Sequence, residues 1–124
     1  MNVVDSSGWL EYFANDKNAD FFAPAIEDTA SLIIPSITLY EVHKRISQQS
    51  NDRQGLHCLA LMQRGTVVDL DADLAVSAAR LSLLLRLPMA DSIILATARS
   101  FDATLWTQDE DFKGVEGVRY FAKD

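Results

Sequence analysis

The sequence predicts an α/β protein, a three-layer α/β/α sandwich around a central parallel sheet. Short apolar runs rich in Val and Ile alternate with longer segments of helical periodicity, as in parallel sheets whose strands are covered by helices on both faces. With 48% apolar and 23% charged residues, the composition is near the average for folded globular domains. The 124 residues contain no repeat, low-complexity tract or linker, so we expect one domain spanning residues 1–124.

Capping and turn residues divide the first half of the chain into elements. A strand is predicted where β-branched valines precede a Ser-Ser-Gly turn signal, and another where an Ile-rich run meets Pro35. Ser and Asn side chains that precede apolar-periodic segments are predicted helix caps. The predicted elements are a strand over residues 2–5, a helix capped by Ser6 or Ser7 and reaching residue 13, a helix capped by Asn18 and reaching residue 26, a strand over 32–34, a helix from residue 36 or 38 to 49, and a helix over 52–63.

The second half is divided in the same way. Gly65 ends the preceding helix, Asp71 is the predicted cap of the next long helix, and Pro88 suits the first turn of the helix that follows. The helix after Pro88 has apolar residues on nearly every side, which predicts burial all round. The predicted elements are strands over residues 66–70, 103–106 and 118–121, and helices over 72–85 and 89–101.

Charge and cysteine content restrict the classes of function. Eleven Lys and Arg against 18 Asp and Glu give a net charge of −7, which argues against a nucleic-acid binder unless carboxylates converge on divalent cations and reverse the local field. Cys58 is the only cysteine, which excludes an intrachain disulfide and a Cys-rich zinc site. The first residues lack a basic signal-peptide region and no apolar run has spanning length. We therefore expect a cytoplasmic protein without a membrane partner.

Four acidic residues are predicted to meet at one edge of the sheet. Asp5 closes the first strand, Glu41 lies in the first turns of the helix after the second strand, Asp91 lies three residues past Pro88, and Asp109 follows the fourth strand. In a parallel sheet with right-handed crossovers, the ends of strands and the starts of helices share an edge, where ligands bind.

Each acid also has a simpler structural interpretation. Asp5 could cap the first helix, Glu41 could close a capping box with Thr38, and Asp109 could be a turn residue. Asp91 is the hardest to explain in this way, because its neighbours are apolar and the sequence offers no basic residue on its next turn. An unpaired carboxylate there is costly unless a cation satisfies it.

Oxygen ligands without thiolates suit Mg²⁺ or Mn²⁺. One or two such ions bind a phosphodiester oxygen, lower the pKa of a bound water and stabilise the leaving oxygen. This chemistry needs no catalytic His or Lys.

Four blocks of sequence resemble the PIN domain family, and most closely its VapC-like toxins of toxin–antitoxin pairs. The blocks are VVDSS at residues 3–7, ITLYEV at 37–42, LPMADSIILATA at 87–98 and LWTQDEDF at 105–112. The resemblance covers essentially the whole chain as a single PIN-like ribonuclease domain. It implies a compact α/β/α fold, metal-dependent ribonuclease activity, frequent homodimers and inhibition by a cognate antitoxin protein, with structured tRNA or rRNA as the RNA substrate.

The resemblance also assigns site residues. The acidic quartet that binds metal and is catalytic maps onto Asp5, Glu41, Asp91 and Asp109. The resemblance implies auxiliary roles for the Thr107 hydroxyl and the Asp111 carboxylate. The hydroxyls of Ser6 and Thr107 could orient a carboxylate or a metal-bound water by hydrogen bonding, although plain capping and turn roles explain them equally well.

Residues outside the quartet are candidates for contacts with RNA and with a partner protein. Lys44 and Arg45 are the candidate RNA-binding cations on the helix that carries Glu41, although a solvated surface is the favoured explanation for each. Aromatic residues of the first two helices are expected to be divided between the core and a groove for the antitoxin: Trp9, Tyr12, Phe13, Phe21 and Phe22. The rival hypothesis is a PIN-fold protein-binding module without nuclease turnover, which metal-dependent cleavage lost in EDTA would exclude.

Overall fold

Five short parallel strands form the centre of the computed structural model, which describes residues 1–123. The strand order is β3-β2-β1-β4-β5, and every neighbouring pair is parallel. The strands are β1 (Asn2–Val4), β2 (Leu32–Pro35), β3 (Thr66–Val68), β4 (Thr104–Thr107) and β5 (Val118–Tyr120). The first strand is central because it pairs with β2 on one side and with β4 on the other.

Six α-helices cover the sheet and confirm the predicted three-layer α/β/α class. Helices α1 to α4 pack against one face, and α5 and α6 pack against the other. The helices are α1 (Ser6–Phe13), α2 (Ala19–Glu27), α3 (Ser36–Gln49), α4 (Asp52–Met62), α5 (Ala72–Leu85) and α6 (Met89–Ser100). Short 3₁₀ turns lie at Thr29–Ser31 and Glu110–Phe112.

The two-residue period of the strands builds the two halves of the core. Val3 and Leu105 face α5 and α6, whereas Val4 and Ile34 face α1 to α4. All four side chains are fully buried, and each such burial stabilises the fold by about 1.5–3 kcal/mol. Strands buried on both faces carry apolar residues at consecutive positions, which is why these segments show no alternation with polar residues.

Helix α6 is enclosed by the rest of the molecule, as its sequence predicts. Every residue from 92 to 98 is buried, because α5 packs on one side and the sheet on the other. The two polar members of this stretch bond back to the helix itself: the Ser92 hydroxyl donates to the Met89 carbonyl, and the Thr97 hydroxyl donates to the Ile93 carbonyl. The apolar environment of this helix surrounds Asp91 on its core side.

The structure selects Asp5, rather than Ser6 or Ser7, from the capping residues predicted for α1, and it contradicts the capping box considered for α3. The N-cap of α1 is Asp5, whose carboxylate accepts from the Gly8 amide at 3.0 Å, so Ser6 and Ser7 lie inside the helix. The capping box that Thr38 and Glu41 could have formed is absent, because α3 begins at Ser36, the first of the two predicted starts, and the Thr38 hydroxyl donates to the Pro35 carbonyl at 2.7 Å.

Other boundaries differ from the predicted ones by one or two residues. The third strand ends at Val68 rather than at residue 70, since its pairing with β2 runs out where Pro35 meets Val68. The fourth strand extends to Thr107 because it pairs with β5 as far as Tyr120. Asn18 precedes α2, but its side chain makes no cap bond and turns elsewhere.

Gly8 permits the close packing of α1 on the sheet. A Cβ at this position would lie 2.6 Å from a methyl of Val4 and 2.7 Å from the ring of Phe22. Both neighbours are fully buried and have no room to withdraw. This close approach seats α1 on the sheet directly after β1, where Asp5 is the N-cap of the helix.

None of the helices within residues 1–123 is long and apolar enough by itself to cross a membrane. Only α5 and α6 taken together reach that length and composition, and they are bent by 115° at the break between them.

Candidate functional site

Three carboxylates converge at the carboxyl edge of the sheet. Asp91 lies in the first turn of α6, Asp109 follows β4, and Asp111 lies in the 3₁₀ turn after it. One ligand oxygen from each of the three lies within 4.8 Å of those of the other two. The turn brings the last two together, because the Asp109 carboxylate accepts from the Asp111 amide at 3.0 Å.

Asp5 borders this group from the end of β1 and is held in one orientation. Its Oδ2 accepts from the Thr107 hydroxyl at 2.6 Å, and its Oδ1 accepts from the Ser7 hydroxyl at 2.7 Å and from the Gly8 amide at 3.0 Å. The residue is only 2% exposed. Three donors and a buried position fix the plane of this carboxylate.

Thr107 links Asp5 to Asp109. Its Oγ1 accepts from the Asp109 amide at 2.9 Å while its hydroxyl proton is donated to Asp5. The amide can only donate, so the hydroxyl is used as the donor toward the carboxylate. Thr107 is fully buried, and this arrangement ties the end of β4 to the end of β1.

Glu41 approaches from α3 and is oriented by Ser6. The Ser6 hydroxyl donates to Oε1 of Glu41 at 2.6 Å. Glu41 is therefore held by the first residue of α1, and its partner is not the amide of Thr38 that the capping box required. Its charge is close enough to raise the pKa of Asp91.

Burial and mutual repulsion raise the pKa of two carboxyl groups. The pKa of Asp5 rises from 3.8 to about 6, chiefly because burial disfavours the charged form, although its three hydrogen bonds oppose the rise. The pKa of Asp91 rises from 3.8 to about 7, first through burial and then through the charges of Asp109, Asp5, Asp111 and Glu41.

The donor set fits a hard divalent cation. Within residues 1–123 no Lys or Arg forms an ion pair with any of these five carboxylates, so their repulsion is not relieved by the protein. Carboxylate oxygens in this number and spacing are the ligands that Mg²⁺ and Mn²⁺ prefer. A cation at this position would favour the charged form of Asp91 that the metal-free site disfavours.

The predicted site residues occupy three places. Asp91 and Asp109 lie in the tight group, and Asp111, predicted as an auxiliary residue, lies there with them. Asp5 and Glu41 flank the group, and the auxiliary hydroxyls of Thr107 and Ser6 contact these two flanking acids.

The candidate RNA-binding cations lie outside the acidic group. Lys44 places its ammonium 5.6 Å from the ring centroid of Tyr40, and Arg45 lines a pocket between α1 and α3.

A buried polar network behind the site escaped the sequence reasoning. Oε2 of Glu11 accepts from the Asn18 amide at 2.9 Å, Oε1 accepts from the Gln108 side chain at 3.1 Å, and the Asn18 side chain donates to that of Gln108 at 2.9 Å. The available signal was a glutamate inside an otherwise apolar, aromatic helix segment. Ser7 is a second such residue: its sequence position predicts a helix cap, whereas its hydroxyl donates to Asp5.

The fold is similar to a toxin–antitoxin complex from Klebsiella pneumoniae, with a TM-score of 0.82 and 22% identity over 98% of this chain and 99% of that chain. It is also similar to VapC20 of Mycobacterium tuberculosis, a Sarcin-Ricin loop cleaving toxin, with a TM-score of 0.75 and 19% identity over 94% and 95% of the two chains.

A third similar structure is VapBC2 from Rickettsia felis bound to a promoter DNA fragment, with a TM-score of 0.74 and 18% identity over 99% and 98% of the chains. At these identities the likeness establishes the fold, which is that of VapC toxin structures. No curated protein sequence matches the chain. A family model described as PIN domain matches residues 3–118, nearly the whole sequence, and the chain therefore belongs to the PIN domain family.

Proposed function

We propose that this chain is a divalent-metal-dependent endoribonuclease, formed by one domain over residues 1–124, and the toxin of a toxin–antitoxin pair. The observation that carries the proposal is the group of Asp91, Asp109 and Asp111, whose ligand oxygens lie within 4.8 Å of one another. Asp5 and Glu41 add two further carboxylates beside that group. Membership of the PIN domain family, whose members are typically nucleases, supports the same reaction class.

The chain's own residues would hold Mg²⁺ or Mn²⁺. Asp91, Asp109 and Asp5 would contribute most of the ligand oxygens, Glu41 would complete the set directly or through water, and Asp111 would be an auxiliary ligand. A bound divalent ion supplies the positive charge that activates water and stabilises the leaving oxygen of a phosphodiester.

Hydrogen bonds from neighbouring hydroxyl groups orient two of these carboxylates. Thr107 and Ser7 fix the plane of the Asp5 carboxylate, and Ser6 fixes that of Glu41. Such supporting bonds are needed because a displaced ligand lowers metal affinity and activity. The proton that Asp91 retains near neutral pH in the metal-free protein must leave before the carboxylate binds the ion.

The antitoxin is proposed to bind the groove between α1, α2 and α4. Tyr12 and Phe13 line this groove of about 500 Å³ together with residues of α2 and α4, and both rings are partly exposed. Trp9 and Phe22, by contrast, are buried in the core, so only part of the predicted aromatic set is available. The similar structures include toxin–antitoxin complexes, which makes an antitoxin the partner proposed for this groove.

A homodimer is proposed through α5 and the start of α6. Apolar side chains are exposed there, with Leu83 at 84%, Leu84 at 76% and Met89 at 73%. Leu83 and Met89 line one hollow together with Leu70, and exposed apolar surface of this kind on a small protein is typical of interaction surfaces. A second copy of the chain would cover it.

The decisive test is metal-dependent cleavage by the purified chain. Purified tRNA and rRNA are incubated with wild type in Mg²⁺, in Mn²⁺ and in EDTA, and RNA ends are sequenced. We expect cleavage at discrete positions that EDTA abolishes and that falls by about 10²-fold or more in Asp109→Asn.

Asp28→Asn is the matched control, because Asp28 is exposed and its side chain makes no cap bond. Equal RNA loss in EDTA and Mg²⁺ would indicate a contaminating nuclease. No cleavage of any RNA at saturating metal would favour the protein-binding module instead.

A further inference from the structure

A second pocket lies between α1, α3 and the C-terminal segment, and two of its lining residues, Ser7 and Gln108, adjoin residues of the acidic site. Its volume is about 260 Å³, below the roughly 300–1,000 Å³ of sites that enclose drug-sized ligands. Leu10 and Ala14 of α1 contribute apolar surface, and Arg45, Gln49 and Lys123 contribute polar groups. We call this the α1–α3 pocket. It has the size of a site for one ring system rather than for an extended chain.

Three connections place the α1–α3 pocket next to the acids. Ser7 lines the pocket and donates its hydroxyl proton to Asp5. Gln108 lines it as well, and it stands in sequence between two residues of the site, Thr107 and Asp109. Arg45 follows Glu41 by four residues on α3, which corresponds to about 6 Å along the helix axis. The pocket therefore shares its border with the residue that orients Asp5 and with the residue that precedes Asp109.

The rear of the pocket is rigid and chemically satisfied. The side chain of Gln108 donates to Glu11 at 3.1 Å and accepts from Asn18 at 2.9 Å. All three residues are at least nine-tenths buried. Because their donors and acceptors already have partners, this wall gives the pocket its shape without competing for a ligand.

The groups at the pocket mouth remain available for recognition. Arg45 and Gln49 are exposed, and Arg45 takes part in no ion pair within the described residues. A planar guanidinium and an amide beside an apolar surface form a surface on which an aromatic base can stack and be hydrogen-bonded along its edge.

The charge balance favours a base over a phosphate as the occupant. Glu11 and Asp16 line the same pocket as Arg45 and Lys123, so the lining is nearly neutral and would not attract an anion strongly. The whole chain carries −7, which leaves little attraction for the RNA backbone away from the metal site. Affinity and selectivity must then come from contacts to a base.

We propose that the α1–α3 pocket binds one unpaired nucleobase of the RNA, adjacent to the phosphate that is cleaved, with Arg45 stacking on the base and Gln49 contacting its edge. This inference rests on the proposed ribonuclease function for the identity of the ligand. It assigns to the pocket the selection of the nucleotide beside the cut, and it requires that nucleotide to be unstacked, as in a loop or bulge.

The first test measures binding without cleavage. Each of the four ribonucleoside 5′-monophosphates is titrated into the metal-free protein, and NMR signals of the Leu10 methyls, the Gln49 amide and the Arg45 guanidinium are followed, with ribose 5-phosphate as the control probe. We expect one or two of the nucleotides to shift these signals at concentrations where ribose 5-phosphate does not. No shift from any nucleotide, or an equal shift from ribose 5-phosphate, would overturn the proposal.

The second test measures selection during cleavage. A pool of RNA hairpins with randomised loops is cleaved by wild type, Arg45→Lys and Gln49→Ala, with Arg80→Lys on α5 as the matched control. We expect a base preference at one position beside the cut that relaxes about tenfold in the two pocket variants only.

A preference unchanged in both pocket variants would contradict base recognition. The same cleavage reactions are repeated at several salt concentrations with wild type and an Arg45→Ala variant. A salt dependence of cleavage that is weaker in Arg45→Ala by about one phosphate contact, with the base preference intact, would instead assign Arg45 to the RNA backbone and overturn the proposal. If wild type cuts no RNA, the proposed function fails, and the nucleotide titration still decides the pocket by itself.

Discussion

Replacing Asp91 by Asn distinguishes a metal-binding carboxylate from a structural one, because the two roles predict opposite changes in stability. Asn has nearly the same shape as Asp but carries no charge. In the metal-free protein the Asp91 carboxylate is destabilised by burial and by four neighbouring acids, and no Lys or Arg in residues 1–123 pairs with it. Removing its charge should therefore stabilise the metal-free fold.

The size of the effect follows from the pKa. The rise from 3.8 to about 7 corresponds to roughly 4 kcal/mol at about 1.4 kcal/mol per pKa unit. Asp91 is partly exposed, so solvent screening reduces this to about 2 kcal/mol. The pKa of Asp91 is higher in the folded state than in the unfolded state, so protonation of this group favours folding. Its contribution to stability is present in full below pH 3.8 and is lost as the pH rises through about 7.

The assay is a series of urea melts in EDTA and in Mg²⁺ between pH 5 and pH 8. In EDTA at pH 8 we expect the free energy of unfolding of Asp91→Asn to be about 2 kcal/mol higher than that of wild type, with a smaller difference at pH 5. In Mg²⁺ the order should reverse, since wild type gains binding energy that the variant lacks. The control Asp28→Asn should change stability by less than about 0.5 kcal/mol at either pH.

One result would refute this reasoning. If Asp91 were a structural acid paired with a cation, its loss would strand that partner and destabilise the fold by about 3–5 kcal/mol. A variant that is less stable than wild type in EDTA at pH 8, yet still cleaves RNA, would remove Asp91 from the metal site.

Two further predictions concern the same site. Thr107→Val removes the hydroxyl that orients Asp5 and should weaken Mn²⁺ binding about 10–100-fold, whereas Thr107→Ser should retain most of the affinity. Calorimetric titrations measure both variants, and equal affinities would contradict an orienting role for Thr107. Because a proton on Asp91 competes with the cation near pH 7, Mg²⁺ affinity should rise between pH 6 and pH 8 and binding should release protons. Calorimetric titrations in buffers of different ionisation enthalpy detect this proton release, and a pH-independent affinity would show that Asp91 is not a ligand.

The sequence was sufficient for the fold because the signals for it are redundant. Buried parallel strands require consecutive apolar residues, and each of the five predicted strands lies within two residues of an observed one. The same topology predicted that Asp91 and Asp109 would meet, since strand ends and helix starts share one edge of a parallel sheet. Neither prediction depends on the exact residue at which a strand or helix begins.

Features that depend on single backbone angles could not be predicted. Ser6, Ser7 and Asp5 are all good capping residues by type, and only the extended backbone at Asp5, with φ −73° and ψ 173°, selects it as the cap. Asp111 joins Asp91 and Asp109 because a 3₁₀ turn directs it back toward the site. The partners of Glu11 are likewise far apart in sequence, at Asn18 and Gln108, and no local pattern connects them.

Asp5 combines a structural task and a proposed catalytic one in a single side chain, and this determines which substitutions are informative. Its Oδ1 caps α1 through the Gly8 amide, while its Oδ2 accepts the Thr107 proton. In Asp5→Asn the amide oxygen can still cap the helix, but an NH₂ group then faces Thr107. The Thr107 hydroxyl already accepts from the Asp109 amide, so it cannot pair well with this second donor, and its own proton loses its acceptor. Any loss of cleavage in that variant would combine a missing ligand with a displaced strand end. Asp91 accepts no such structural hydrogen bond within residues 1–123, so its substitution by Asn tests the charge alone. For this reason we expect Asp91→Asn to be more stable than wild type in EDTA and less stable than wild type in Mg²⁺.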